Sequence, residues 1–396
     1  MKNNNSSQKS GHTSIETEKL PIKLWLKEDQ MEEGALQQAR NLANLPFAFS
    51  HIAIMPDTHQ GYGMPIGAVL ATKGVVIPNA VGVDIGCGMC SLRTNMTEVE
   101  TAYLKKIMSH IRKTIPVGFK HHQMRQDETW MPQRKGDLPI VDQEYASALH
   151  QIGTLGGGNH FIEIQKGSDG YIWIMIHSGS RNIGFTVANH YNDAAKKINV
   201  KDGADVSQDL AYIPESSAYF ELYWNEMNYC LEFALANRML MMERVKAAFK
   251  DVIPSVEFAN FINKPHNFAA QEEHFGEMVI VHRKGATRAR KGEWGMIPGS
   301  QGTSSFLVKG KGEPQSFESC SHGAGRIMSR TRARKTLDLK EEVKSLDKRG
   351  ILHAIRGRSD LDEAPGSYKD IDEVMQNQTD LVEVQIELQP LAVIKG

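Results

Sequence analysis

The sequence predicts an α+β fold, and three observations carry that reading. Apolar segments of strand character and segments of helical period are mixed without regular alternation, which speaks against a doubly wound sheet. Of the 396 residues, 40% are hydrophobic and 23% charged, a globular composition that excludes a fibrous repeat or a disordered scaffold. No linker follows residue 20, so residues 20–396 are expected to form one domain, preceded by a disordered polar tail over residues 1–19.

Along the chain, Glu28 to Leu45 has helical spacing, and HIAIMPD reads as a short buried strand. Gly67 to Pro78 reads as a strand pair turned at Lys73-Gly74, and Glu98 to Thr114 as a helix. Residues 116–140 mix Pro, Gly, His and charge without a period, which suggests a surface loop or an insertion near a site. Asp142 to Gln151 is helical, and YIWIMIHSGS is an apolar strand ending in a turn. Ala218 to Phe249 is a long amphipathic helical stretch with an expected interruption. MVIVHRKGA and SSFLVKG are further strands, Ala324 to Lys335 is a basic helix opened by glycine, and LVEVQIELQPLAVIKG is a terminal strand region.

Charge and cysteine usage narrow the function class. Lys and Arg total 46 against 47 Asp and Glu, but Val281–Gly292 and Arg326–Lys335 each carry five cations and no acid. Such runs read first as solvated faces and second as contacts for an anionic partner such as RNA. No segment approaches the ~18 apolar residues of a membrane span, and the N-terminus lacks a signal peptide's apolar core, so a cytoplasmic protein is expected. Four cysteines are too few for a disulfide framework and favour a metal-binding or reactive role.

The chemistry concentrates in polar residues beside glycine-rich turns. AVGVDIGCGM places Asp84 and Cys87 three apart, where tight backbone lets a carboxylate and a thiolate converge on one cation. LGGGNHFIEI carries Asn159, His160 and Glu163; IMIHSGSR carries His177 and Arg181; KPHNF carries His266 and Asn267. Each alone is more simply a buried thiol or a satisfied polar residue. Together, one Asp, one Cys and three His suit zinc, manganese, iron or cobalt better than magnesium or calcium. In SCSHGAGRIMSR, His322 precedes Gly323, Ala324 and Gly325, with Arg326 and Arg330 one turn apart on the expected helix. Glycines opening a helix can hold a phosphate, which would set His322 to attack phosphorus or donate a proton. Pro298, Gly299, Ser300 and Ser305 belong to PGSQGTSS, a second cradle of glycines and hydroxyls without a P-loop lysine.

From about Lys23 to Gly396 the sequence resembles the RtcB-type RNA ligases, and its shortened middle is similar to the bacterial branch. MPDTHQGYGMPIG, GVDIGCGM, LGGGNHFIE, HSGSR, PHN, PGSQGTSS, SHGAGRIMSR, SYKDID and the final Lys-Gly follow one another in that family's order. The resemblance implies a single large domain with mixed sheets around a central two-metal cleft. It implies a monomer that joins RNA 2',3'-cyclic phosphate or 3'-phosphate ends to 5'-hydroxyl ends with GTP, for RNA repair or tRNA splicing. By the same resemblance Asp84, Cys87 and His160 hold one manganese ion, and Cys87, shared, joins His177 and His266 on a second. His322 becomes the nucleophile that takes GMP. Asn159, Glu163, Asn267, Pro298, Gly299, Ser300, Ser305, Gly323, Ala324, Gly325, Tyr368 and Lys395 match guanylate contacts, and Arg181, Arg326 and Arg330 match positions for RNA ends. A carboxylate at Glu163 suits the N1 and N2 donors of guanine and rejects adenine. Asn182 and Gln301 depart from the family pattern, where glycine and methionine are usual. A two-metal phosphodiesterase without ligation would share the metal ligands but has no use for Glu163, His322, Tyr368 and Lys395. An RNA-binding module would leave the Asp, Cys and His set unexplained.

Overall fold

The computed structural model describes residues 11–396 as two antiparallel-rich sheets, each with one face against helices. The first sheet runs in spatial order β1 (Thr13–Ile15), β2 (Ile22–Leu24), β3 (Ala48–His59), β4 (Ile66–Thr72), β12 (Glu277–Lys284) and β11 (Asn267–His274). Only β2 and β3 are parallel. The second is wholly antiparallel: β10 (Phe258–Pro265), β6 (Gly88–Thr94), β8 (Ile172–Ser178), β7 (Phe161–Gly167), β17 (Val382–Lys395), β15 (Ser305–Gly310) and β14 (Trp294–Ile297). Two ribbons complete the strands, β5 (Val75–Val76) with β9 (Ile213–Pro214) and β13 (Ala286–Arg288) with β16 (Ser319–Ser321).

Strand β8 is buried along its whole length because both faces are covered. Ile172, Ile174 and Ile176 face α3 (Thr101–Thr114) and α6 (Ala218–Val252), while Trp173 and Met175 pack with Leu346 of α8 (Leu339–Lys348). In the first sheet Ile52, Ile54 and Leu70 pack on α1 (Glu33–Ala43). The alternating Ala53, Met55 and Val69 pack with Phe306, Val308 and Val382 of the second sheet and with Val374 of α9 (Ile371–Gln376). The two sheets therefore share one apolar cluster, and one of the chain's crossings between them is the single residue His266, which joins β10 to β11. The remaining helices, α2 (Pro78–Val81), α4 (Pro139–Gln151), α5 (Arg181–Asp202) and α7 (Arg330–Thr336), have their ranges set by proline at N1 or by side-chain caps in α2, α4 and α7.

The mixed α+β architecture agrees with the sequence expectation, and several elements differ from it. The first ten residues of the expected tail lie outside the described residues, and Thr13–Ile15 pairs with β2, so order begins before Leu20. The pair expected to turn at Lys73-Gly74 is not a hairpin: both edges of β4 are taken by β3 and β12, and β5 pairs with β9 instead. The stretch from Glu28 breaks at Met31, which is extended, before α1 begins. The expected interruption of α6 is absent; its 35 residues contain neither Gly nor Pro. Helix α5 was read only as a turn at Arg181. The basic helix expected from Ala324 begins only at Arg330, since Gly325 has a φ of 72° and sits against Asp57. Among the described residues no helix is long and apolar enough to cross a membrane.

Candidate active site

Five metal-type donors meet where the two sheets join. Asp84 and Cys87 come from the loop between α2 and β6, which bends at Gly82 and Gly86. Gly86 presses on α6, where a Cβ would lie 2.9 Å from the Leu231 Cα, so only glycine lets this loop dock. His160 precedes β7, His177 lies on β8, and His266 is the corner between the sheets. The Cys87 Sγ is 3.5 Å from the His160 Nε2 and 3.3 Å from the His177 Nε2. The His160 Nε2 is 3.1 Å from the Asp84 Oδ2, and the His177 Nε2 is 3.4 Å from the His266 Nε2. Two overlapping sets result, Asp84–His160–Cys87 and Cys87–His177–His266. Cys87, His160 and His177 alone already converge as one buried ligand group.

The proton bookkeeping favours a cation between these atoms. The Nδ1 of His160 lies 2.9 Å from the Leu155 carbonyl and that of His177 lies 3.1 Å from the Asn159 carbonyl. A carbonyl only accepts, so each Nδ1 carries the proton and each Nε2 turns a lone pair toward other acceptors. Burial, with neighbouring positive groups, pushes His177 and His266 well below the usual imidazole range. Burial resists the charge on Asp84, but with a proton on the His160 Nε2 the hydrogen bond and charge of that ring outweigh it and hold the carboxyl at about 2; a bound cation would take that proton's place and leave the Nε2 lone pair as a ligand. Burial, then Asp84, pushes the Cys87 thiol well up, which a bound divalent ion would reverse. Lone pairs facing one another at these separations fit a divalent metal centre with Cys87 as the shared ligand.

Beside this cluster opens a cleft of about 490 Å³. His322 follows β16 and lines it, with its ring centroid 4.8 Å from that of His266. Its Nδ1 donates to the Asp57 Oδ2 at 2.6 Å, and the same oxygen accepts from the backbone N–H groups of His322 and Gly323. Asp57 is fully buried; burial would raise its carboxyl, but the charge and hydrogen bonds of His322 win and hold it low. In the neutral ring, with the proton on Nδ1 toward Asp57, the lone pair is on Nε2.

Asn159, Glu163, Pro298, Gly299, Ser300, Gly323, Ala324, Gly325, Tyr368 and Lys395 all line the cleft, as do Arg326 and Arg330. Glu163 is buried, its Oε2 accepts from the Gln165 side chain at 2.8 Å, and its Oε1 has no partner. Burial pushes this carboxyl up to about 8, against the pull of Lys395 and Gln165. Three expected site residues stand behind the wall. Asn267 bridges the Gly285 N–H and the Asp84 carbonyl, and the Ser305 hydroxyl accepts from the Gly299 N–H. Arg181 lies beside the Asp84 half of the cluster, donating to Thr154 from a left-handed backbone with φ 60°. The helix-mouth cradle expected at Gly323–Gly325 is absent, because these residues form a turn packed on β3.

The sequence reading missed two carboxylates. Asp57 lay unremarked inside MPDTHQGYGMPIG, where an acid at the end of an apolar strand was the available signal. Glu363 gave no signal in its polar run. It accepts from the Tyr368 hydroxyl and pairs with Lys395 at 3.2 Å, Arg326 at 3.3 Å and Arg330 at 3.5 Å. The basic runs are also quenched within the fold: Arg283 pairs with Glu272, Arg288 with Glu293, and Arg334 with Asp362. Gln301, a departure from the family pattern, donates to the Glu363 carbonyl, and Asn182 pairs outside the cleft with Glu144.

Comparison with known proteins adds an independent line. The family model described as tRNA-splicing ligase RtcB matches residues 38–396. RNA-splicing ligase RtcB1 of Escherichia coli strain ATCC 25922 is 41% identical over 96% of this chain and 99% of its own. RNA-splicing ligase RtcB of Escherichia coli K12 is 40% identical with the same coverage. The tRNA-splicing ligase RtcB of Nanoarchaeum equitans is 33% identical over 95% of each chain.

Proposed function

Because this chain belongs to the RtcB family and is an RNA ligase, we propose that it joins RNA 2',3'-cyclic phosphate or 3'-phosphate ends to 5'-hydroxyl ends through a histidine–GMP intermediate. The reaction uses GTP and two manganese ions and serves RNA repair or tRNA splicing. One observation carries the reading: His322, held through Nδ1 by Asp57, lines the same cleft as the unpartnered Glu163 oxygen and adjoins the Cys87–histidine cluster.

The His322 Nε2 attacks the α-phosphorus of GTP, forming an N–P bond as the bond to pyrophosphate breaks. Asp57 keeps the lone pair on Nε2 and stabilises the positive ring that forms. An oxygen of the RNA 3'-phosphate, which hydrolysis frees from a cyclic end, then takes GMP from His322. The 5'-hydroxyl finally attacks the 3'-phosphorus, and GMP leaves. Glu163 accepts from the guanine N1 and N2 groups and so selects the base. Lys395, Arg326 and Arg330 meet the phosphates, with Glu363 holding them until substrate arrives. Asp84, Cys87 and His160 with His177 and His266 hold the two divalent ions, which when bound supply positive charge for attacking and leaving oxygens.

The test is incubation with labelled GTP and manganese, followed by a search for an acid-labile protein adduct. His322→Ala is expected to bind metal, form no adduct, and still seal an RNA that already carries a 3'-diphosphate-guanosine end. A normal adduct in that variant would move the nucleophile elsewhere. Cys87→Ser is expected to lose manganese and every step.

A further inference from the structure

A second cavity, about 260 Å³, opens between α3 and the segment that follows α8. Lys105 and Arg112 face it from α3, two turns apart on one side of the helix, and Arg356 faces them from the other wall. None of these three side chains forms an ion pair among the described residues; the Arg356 guanidinium donates to the neighbouring Ile355 carbonyl, while its backbone N–H donates to the Asp360 carboxylate. Elsewhere the fold pairs its clustered cations, as at Glu272, Glu293 and Glu363. Burial, together with the charge of Arg356, depresses Arg112, so the pair sits close enough for mutual repulsion. His353 also lines the cavity and is 7% exposed. Its Nε2 lies 3.3 Å from the Asp347 Oδ1, while its Nδ1 is buried without a hydrogen-bond partner. Asp347 is the only acid in the wall and is turned to His353.

Three cations without ion-pair partners around one hollow lack the same thing, an anion with several acceptor oxygens. The hollow is also tied to the cleft. Leu352, in its wall, bridges to Ala392 of β17, the strand that ends with Lys395 in the cleft.

We propose that this cavity binds a backbone phosphate of the RNA strand whose end occupies the cleft, a step that rests on the RNA-ligase reading above. Arg112 and Arg356 contact the phosphate oxygens, and Lys105 adds charge.

The test uses the full chain with Arg112→Glu and Arg356→Glu combined, both on exposed side chains. Binding of labelled RNA is read against salt for a long strand and for a trinucleotide too short to reach, alongside adduct formation from GTP. The expected result is a roughly tenfold weaker Kd for the long RNA, with the slope of log K against log salt reduced by about 0.7, the value for one single-strand phosphate. The trinucleotide and the GTP adduct are expected at parental levels. Unchanged long-RNA binding and slope would overturn the proposal, as would equal loss for both lengths. A third arm titrates inorganic phosphate against the parental protein by thermal shift. A phosphate response that depends on Arg112 and Arg356 without a change in long-RNA binding would assign the cavity to free phosphate and overturn the RNA assignment. Failure of the parental protein to form any adduct would count against the ligation mechanism alone, since RNA binding is measured directly.

Discussion

Asp57 gives His322 its chemistry through a single oxygen that accepts three hydrogen bonds. An asparagine there keeps an oxygen for these three donors but carries no negative charge to stabilise the positive ring that forms as Nε2 attacks. Asp57→Asn is expected to slow adduct formation on the order of 10²–10⁴-fold, with metal content unchanged; a parental rate would show that His322 needs no charged partner. Glu163 carries a pH signature. Its carboxyl rises from 4.5 to about 8 on folding, so the folded protein binds the extra proton between those values. The stability this lends is full below 4.5 and is lost as pH rises through about 8. Guanine needs the ionised form, so GTP affinity is expected to rise across the same window. Glu163→Gln should flatten both profiles, and a GTP affinity in the parent that falls with pH would refute the assignment. Glu363→Gln keeps shape but frees Lys395, Arg326 and Arg330 from their counter-charge. Adduct kinetics should show kcat down about tenfold with KM for GTP level or lower, since binding survives while placement is lost. At this scale the sequence shows the five metal-type donors because each stands in or beside a glycine-rich or turn segment. Asp57 and Glu363 act on other residues rather than on a ligand, and such work leaves no spacing to read.

Helix α6 is the template on which the metal-type loops are set. Asn237 accepts from the Gly153 and Thr154 N–H groups and donates to the Thr154 and Gly179 carbonyls and the Ser178 hydroxyl. Arg238, fully buried, donates to the Gly86 and Ser178 carbonyls and to Asn263 on β10. Two adjacent residues thus brace the segments that carry Cys87, His160, His177 and His266. Arg238→Ala takes a donor from the buried Gly86 and Ser178 carbonyls, at about 1–3 kcal/mol each, and from the half-buried Asn263 oxygen. The denaturant midpoint should fall accordingly, and manganese affinity with it; a variant with parental stability would mean water replaces the guanidinium at no cost. These residues also explain why the helix reads as broken in sequence. Asn and Arg in the middle of an apolar stripe look like an exposed turn, whereas here they face inward to backbone carbonyls. The basic helix expected at Ala324 fails for the opposite reason, because Gly325 is needed for close packing on β3 rather than for a helix mouth.

Over the whole molecule, the donor residues lie between positions 84 and 266 and are united only at the junction of the two sheets. Their ordering therefore depends on global folding, and a divalent ion bound by the folded state alone adds stability by mass action. Chelation is expected to lower Tm by several degrees, and Cys87→Ser should abolish that response; a chelator-insensitive Tm in the parent would argue against a metal in this cluster. The fold class is legible because periods of two and of 3.6 residues are local properties. Strand partners are not, since β4 rejects its neighbour β5 in favour of β12, some two hundred residues on. The same distance governs β17. It lies inside the second sheet, between β7 and β15, and pairs Lys395 with Phe161. The β7–β8 and β14–β15 pairs join segments close in sequence and can form early, yet each then presents an open edge toward a strand still to arrive. Until that long-range insertion is made, the two edges stay unprotected and invite pairing with other chains. The strand that brings Lys395 into the cleft is thus also the one whose delay exposes the protein to aggregation.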